Sequence, residues 1–267
     1  MSAVTTLRRT AFLATVGFAL ASAGSAQASR VAASAPSSKP TIVLVHGALM
    51  DAMGWSRVIP LLQKDGYTVI AVENPLSSLE ADVATTKRVI DAQMGPVVVV
   101  GHSYGGAVIS VAAAGNKNVK ALVFIAALAP DSGDAVSSML DKYPTSLSAA
   151  FIPDAAGYLT CDRTKMRALF AADVPVADAS VLAATQKPIN SAIFASTLSA
   201  AAWKHVPSFY MVATQDRAVS PDLERFVARR MNATTVEVKS SHLPMVSHPA
   251  AVARLITQAA LSNATAH

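Results

Sequence analysis

Gly101-His102-Ser103-Tyr104-Gly105 follows directly on the apolar run Pro96-Val97-Val98-Val99-Val100 and runs on into Gly106-Ala107-Val108-Ile109-Ser110-Val111-Ala112. Four consecutive valines fit a buried strand, and the run after the glycines fits a buried helix. The serine therefore stands in the turn between them. Glycines on both sides allow strand and helix backbones to approach more closely than side chains permit, and such a turn projects the serine hydroxyl from the end of a sheet. A hydroxyl displayed in this way is a candidate nucleophile, and it needs a base and an acid from elsewhere in the chain.

The rest of the chain alternates in the manner of a parallel sheet. Thr41–Val45 is a short β-branched run that ends at His46-Gly47, and the spacing of Val58, Ile59, Leu61 and Leu62 predicts a helix from Trp55 to Lys64, closed by Asp65-Gly66. Tyr67 to Val72 reads as a second strand. Ser77-Ser78-Leu79-Glu80 has the spacing of a capping box that opens a helix to about Met94. Pro96 to Val100 is a third strand, its helix ends near Gly115-Asn116, and Val119 to Ala126 is a fourth. Continuous apolar strands alternating with helices imply an α/β fold, mostly parallel, with helices on both faces.

Residues 131–205 break the alternation. They hold helix-like stretches at Arg163–Ala172 and Ala179–Gln186, no clear strand, and prolines 144, 153, 175 and 188. An insertion at the carboxyl edge of the sheet reads as a helical cap over the serine. Regular order resumes with a strand at Ser208–Ala213, a helix at Pro221–Met231, a strand at Thr234–Lys239 and a helix at Pro249–Leu261. One domain spanning 41–262 suits the length.

At the N-terminus, Arg8 and Arg9 precede an uncharged apolar stretch from Ala11 to Leu20 and a small-residue segment that ends Ala26-Gln27-Ala28. This is the pattern of a secretory signal peptide cut after Ala28, by the general or the twin-arginine route, and it predicts a periplasmic or secreted protein without a stable membrane anchor. Residues 29–40 read as a flexible leader. Loss of residues 1–28 removes two arginines and no acid, which lowers the formal charge from +5 to +3. With no basic run, the charge gives no case for nucleic acid. The single cysteine, Cys161, excludes an intramolecular disulfide, and no His/Cys spacing indicates a metal site.

For the base, His242 lies three residues past the last expected strand, within Ser240-Ser241-His242-Leu243-Pro244. Its rival, His248, sits at the mouth of a helix, where capping explains it. For the acid, Asp216 ends Val212-Ala213-Thr214-Gln215-Asp216, while Asp131 and Asp134 offer an earlier position and Asp222 and Glu224 fit the first turn of a helix. The choice is Ser103, Asp216 and His242. The tetrahedral oxyanion needs two backbone donors: the N–H of Tyr104, and one from the turn after the first strand, Ala48 with Leu49 as the alternative. His46 and His102 do not occupy the position of a base and are read as shaping the turns.

His46-Gly47-Ala48, Gly54-Trp55, Leu61-Leu62 and Gly66-Tyr67-Thr68-Val69 resemble the opening of one branch of the α/β hydrolases, the branch of plant methylesterases, hydroxynitrile lyases and bacterial carboxylesterases. Gly101 to Gly106 is similar to its elbow, Thr214 to Ala218 to its acid loop and Ser241 to Met245 to its histidine loop. The resemblance implies acyl transfer through a serine on a small-molecule ester, without metal or organic cofactor. Two features depart from the lyases: Leu243-Pro244-Met245 stands where they carry a lysine, and they lack a histidine at position 102. Glu73 to Ser78 also departs from the usual segment after the second strand. The expectation is therefore an exported serine esterase, with a cyanohydrin lyase or a non-catalytic binder as alternatives. The cap's Met139, Leu147, Phe151, Leu159, Phe170 and Phe194 serve an apolar pocket or the cap's own core.

Overall fold

In a computed structural model, which describes residues 39–262, a six-stranded parallel sheet forms the centre of the molecule. Its strands in chain order are β1 (Thr41–Val45), β2 (Val69–Val72), β3 (Val97–His102) and β4 (Val119–Ile125), then, beyond an insertion, β8 (Ser208–Ala213) and β9 (Thr234–Val238). They lie side by side in the order β2-β1-β3-β4-β8-β9. The chain runs from β1 outward to β2 and then returns to the other side of β1 to lay down β3. That reversal makes the gap between β1 and β3 the switch point of the sheet, where a crevice opens outside the carboxyl ends of the strands.

Helices α1 (Ile59–Lys64), α2 (Leu79–Asp91), α3 (Gly105–Ala112), α6 (Pro221–Arg230) and α8 (Pro249–Ser262) cover the sheet, with α2 packed on α3 and α1 on α8. A single turn, α7 (Pro244–Ser247), links the last strand to α8. Both faces of the central strands are thus dry. Every residue of β3 is buried, which is why its sequence is a run of valine rather than an alternation. β4 carries Lys120 inside an apolar strand because the pairing with β3 slips there: Val97 faces Val119 but Val98 faces Ala121, and Lys120 is left exposed in the bulge. Among the described residues no helix is long and apolar enough to cross a membrane.

The elements match the sequence pattern with three corrections. The residues from Ala52 to Trp55 form a separate 3₁₀ turn before α1. The cap of α2 is Ser78, whose hydroxyl accepts from Ala81 N at 3.1 Å; Glu80 therefore falls one position short of closing a capping box. The insertion between β4 and β8 holds the helices α4 (Arg163–Phe170) and α5 (Val176–Ala184), but also a three-stranded antiparallel sheet of β5 (Phe151–Pro153), β6 (Tyr158–Cys161) and β7 (Ile189–Asn190). Those strands are two to four residues long and partly exposed, too short to show any periodicity in sequence.

Close backbone approach fixes the centre of the fold. A methyl group on Gly106 would lie 2.2 Å from the carbonyl oxygen of Leu128, and one on Gly101 would lie 2.7 Å from that of Gly105. Both obstacles are backbone and cannot swing aside. Gly106→Ala should therefore cost at least about 1–3 kcal/mol, the usual range for overpacking. Thermal melting would read this as a lower Tm than that of an alanine placed at Gly115, where added bulk meets nothing within 4 Å but the backbone is left-handed at φ +73°.

Candidate active site

Ser103 follows the end of β3, two residues ahead of α3, with φ +52°, in the left-handed region that a side chain ordinarily avoids. The conformation is enforced from both sides. Ser103 N donates to Ile125 O at 3.1 Å, and its carbonyl accepts from Gly106 N and Leu128 N, each at 3.0 Å. The loop after β1 presses against the serine: a methyl group on Gly47 would lie 2.7 Å from Ser103 Cβ. Leu49, Leu76 and Ala126 are also left-handed, so each of the first four strands is followed by one such non-glycine residue. Strain collects at the carboxyl edge, around the serine.

His242 and Asp216 meet as the sequence order requires. His242 Nδ1 lies 2.5 Å from Asp216 Oδ2, and both side chains are shut off from solvent. A carboxylate only accepts, so Nδ1 carries the proton and Nε2 is left with the lone pair. Asp216 Oδ1 accepts from Ala218 N at 2.7 Å and Val219 N at 2.9 Å, which holds the carboxylate in one orientation. Phe170, from the end of α4, stands edge-on to the His242 ring at 5.3 Å and so brings the insertion over the site. Among the described residues, no hydrogen bond joins Ser103 Oγ to His242.

The other histidines have structural tasks. His102 donates through Nε2 to the carbonyl of His242 at 2.9 Å, and burial together with the neighbouring His242 keeps its pKa well below the ordinary value. It therefore stays neutral and tethers the histidine loop beside the serine. His46 Nδ1 donates to Gly47 O at 2.9 Å, and its Nε2 accepts from Asn74 N at 3.1 Å. Burial lowers its pKa too, so it acts as a neutral brace. His248 Nδ1 is engaged by Ser247 Oγ and faces Asp173, away from Asp216. Asp131 is bound by Lys204 at 2.5 Å, and Asp134 lies 3.9 Å from Arg230; neither reaches His242. Cys161 is buried, with its thiol pushed up to about 11, the wrong direction for a nucleophile.

The expected oxyanion donors flank the serine. Tyr104 N and Ala48 N donate to no acceptor among the described residues, and the Gly47 contact places the Ala48 turn against Ser103. Of the cap residues, Met139 and Phe170 are buried in the common core, whereas Leu147, Phe151 and Phe194 line a cavity of about 380 Å³ that reaches Ala218 beside the acid.

Two carboxylic acids near the site escape a reading by position. Asp82 lies on the buried stripe of α2 with Leu79, Thr86 and Ile90, a polar residue on an apolar face that the sequence does display. Glu224 looks like a solvated first-turn acid of α6, yet it is fully buried and accepts from Ala213 N at 2.8 Å. Burial, then the charge of Asp216, pushes its pKa well up.

The family follows from this chain's match to known proteins. The model of the alpha/beta hydrolase family matches residues 42–255. The chain belongs to that family. It is 26% identical to methylesterase 2 of Arabidopsis thaliana over 79% of this chain and 92% of that protein. It is equally 26% identical to the alpha-hydroxynitrile lyase of Arabidopsis thaliana, over 79% of this chain and 93% of the relative. The crystal structure of a pyrethroid hydrolase from Sphingobium faniae JZ-2 superposes with a TM-score of 0.71 at 22% identity, covering 84% of this chain and 98% of the other. The hydrolase fold is thereby shown, while overall identity does not separate esterase from lyase.

The raised pKa of Glu224 has a signed consequence. A group that holds its proton more tightly when folded adds stability below its unfolded value, near pH 4.3, and that contribution is lost as pH rises toward the folded value. Glu224→Gln keeps an uncharged side chain at every pH. Its melting temperature should fall less than that of the wild type between pH 4.5 and 8, read by calorimetry; parallel curves would show that Glu224 does not titrate upward.

Proposed function

We propose that this alpha/beta hydrolase is a serine esterase that cleaves small carboxylic esters through an acyl-enzyme. The observation that carries the reading is the buried Asp216–His242 pair at 2.5 Å, which leaves His242 Nε2 as the free base on a loop tethered beside the left-handed Ser103. In this scheme Ser103 Oγ attacks the ester carbonyl and His242 Nε2 takes its proton. Asp216 holds the tautomer and stabilises the imidazolium. Tyr104 N–H and Ala48 N–H receive the oxyanion. The proton on His242 then passes to the departing alcohol, and water repeats the sequence to free the acid.

Hydrolysis is favoured over cyanohydrin cleavage by the chemistry beyond the base. Leu243, Pro244 and Met245 are all apolar and buried, so this stretch offers no ammonium to receive cyanide. We further propose that the protein is exported. The signal-like residues 1–28 lie outside the described residues, and N-terminal sequencing of the mature protein should begin at Ser29.

Ser103→Ala should abolish release of nitrophenol from nitrophenyl acetate. Asp216→Asn should lower kcat by about 10³–10⁴, because the wrong tautomer of His242 is then favoured, whereas Asp131→Asn should leave it unchanged. Equal rates for wild type and Ser103→Ala would remove the serine mechanism, and cyanide release from mandelonitrile would move the protein to the lyases.

A further inference from the structure

Both backbone donors beside Ser103 trace back to one short piece of chain, the segment Asn74-Pro75-Leu76 that follows β2. On one side, Asn74 N donates to His46 Nε2 at 3.1 Å, and His46 Nδ1 donates to Gly47 O at 2.9 Å, shaping the turn that presents Ala48 N. On the other side, Leu76 N donates to Asp82 Oδ1 at 2.8 Å, and Asp82 Oδ2 accepts from Tyr104 Oη at 2.7 Å. The phenol thus anchors the residue whose own N–H lies next to the serine. Asn74 is stiffened further by Thr86, which donates to its side-chain oxygen at 3.1 Å.

Asn74, Asp82 and His46 are fully buried, and Tyr104 is nearly so, so these bonds are not exchanged with water. Burial, then the charge of Asp82, holds the Tyr104 phenol far above its ordinary pKa, and it stays a donor at every working pH. Leu76 adopts φ +57°, a conformation that persists only where the surroundings hold it. What holds it includes the cap. Asn190 N, in β7, donates to Leu76 O at 2.9 Å. Lys187 Nζ bonds Asn74 O and lies 3.3 Å from Glu73, while Lys187 N donates to Leu49 O at 3.3 Å. The cap therefore grips the same segment that fixes both donors, and also the residue after Ala48.

We infer that the segment Asn74–Leu76 is the positioning element of the oxyanion site, coupled to the cap through Lys187 and Asn190, with His46, Asp82 and the Tyr104 phenol as positioning residues. This rests on the esterase reading given above. None of these side chains touches the substrate; they set where two N–H groups point. An oxyanion donor acts on the transition state rather than on ground-state binding, so its displacement lowers kcat and leaves KM. The cap's bonds to this segment are therefore part of what holds the anion site in place.

The test uses the full mature protein, nitrophenyl acetate as substrate, a fluorophosphonate that labels the reactive serine, and a trifluoromethyl ketone as a tetrahedral mimic. Tyr104→Phe and Asp82→Asn should each lower kcat by about 10- to 100-fold, below or near the effect of losing one donor outright, with KM changed less than about twofold. Affinity for the ketone should fall by a similar factor. Lys187→Met, which removes the Nζ contacts to Asn74 and Glu73 and leaves the cap's backbone bonds in place, should lower kcat in the same way but less. Melting temperature reads folding separately, and Tyr104→Phe removes only one oxygen should Asp82→Asn fail to fold. A folded variant set with wild-type kcat and wild-type ketone affinity overturns the proposal, even if its melting temperature has dropped. Absence of fluorophosphonate labelling in the wild type would instead overturn the esterase reading itself.

Discussion

The organisation of this protein depends on a close backbone contact. The strand-to-helix turn is packed so tightly on backbone, with Gly101 against Gly105 of α3, Gly105 against the end of β1 and Gly106 against Leu128 beyond β4, that a single methyl group at any of them would collide with a carbonyl oxygen. That contact forces Ser103 into the left-handed region and fixes where its side chain begins. The β1 loop then has to pass the serine at Gly47, again within a distance that only glycine allows. Ser103, the two flanking N–H groups and the switch point of the sheet are thus brought together by this packing. Because each obstacle between β3 and α3 is backbone, the constraint does not relax by side-chain rearrangement.

Around that rigid centre, chemistry is divided by protonation. Three histidines lie buried within a few residues of the serine or the acid, and their partners assign their roles. His46 and His102 hydrogen-bond to carbonyl and amide groups, and burial lowers the pKa of each although Glu73 lies 3.9 Å from His46, so both act as neutral braces. Of these three, His242 is the one with a carboxylate hydrogen-bonded to Nδ1. Next to Asp216, burial and the Asp216 charge push the Glu224 carboxyl well up, and its oxygen accepts from Ala213 N at the end of β8. The result is a carboxylate directed at the His242 imidazole, beside two buried imidazoles that hold to the neutral form.

Much of this is legible in the amino-acid sequence alone. The valine run before Ser103 marks a strand buried on both faces, and the positions of Asp216 and His242 after later apolar runs place them at the same sheet edge. Local patterns carry that information because strand burial and turn chemistry are nearest-neighbour effects. The small sheet of the cap is hidden because two- to four-residue strands at half-exposed positions have no period to detect. Asp82 and Glu224 are hidden for another reason. A carboxylate on a helix reads as solvated unless its partner is known, and the partners, Tyr104 and Ala213, lie 22 and 11 residues away.

Short-range periodicity and backbone propensity already specify the alternation of strands and helices, the strand-to-helix turn at Ser103 and the places of Asp216 and His242 after later strands. Long-range contacts specify instead which of three buried histidines hydrogen-bonds to a carboxylate, which helix acids are buried, and that Asn74–Leu76 joins both flanking N–H groups to the cap. Those outcomes depend on hydrogen bonds between segments far apart in the chain and on burial that lowers the dielectric around them. Neither is a property of any local stretch of residues.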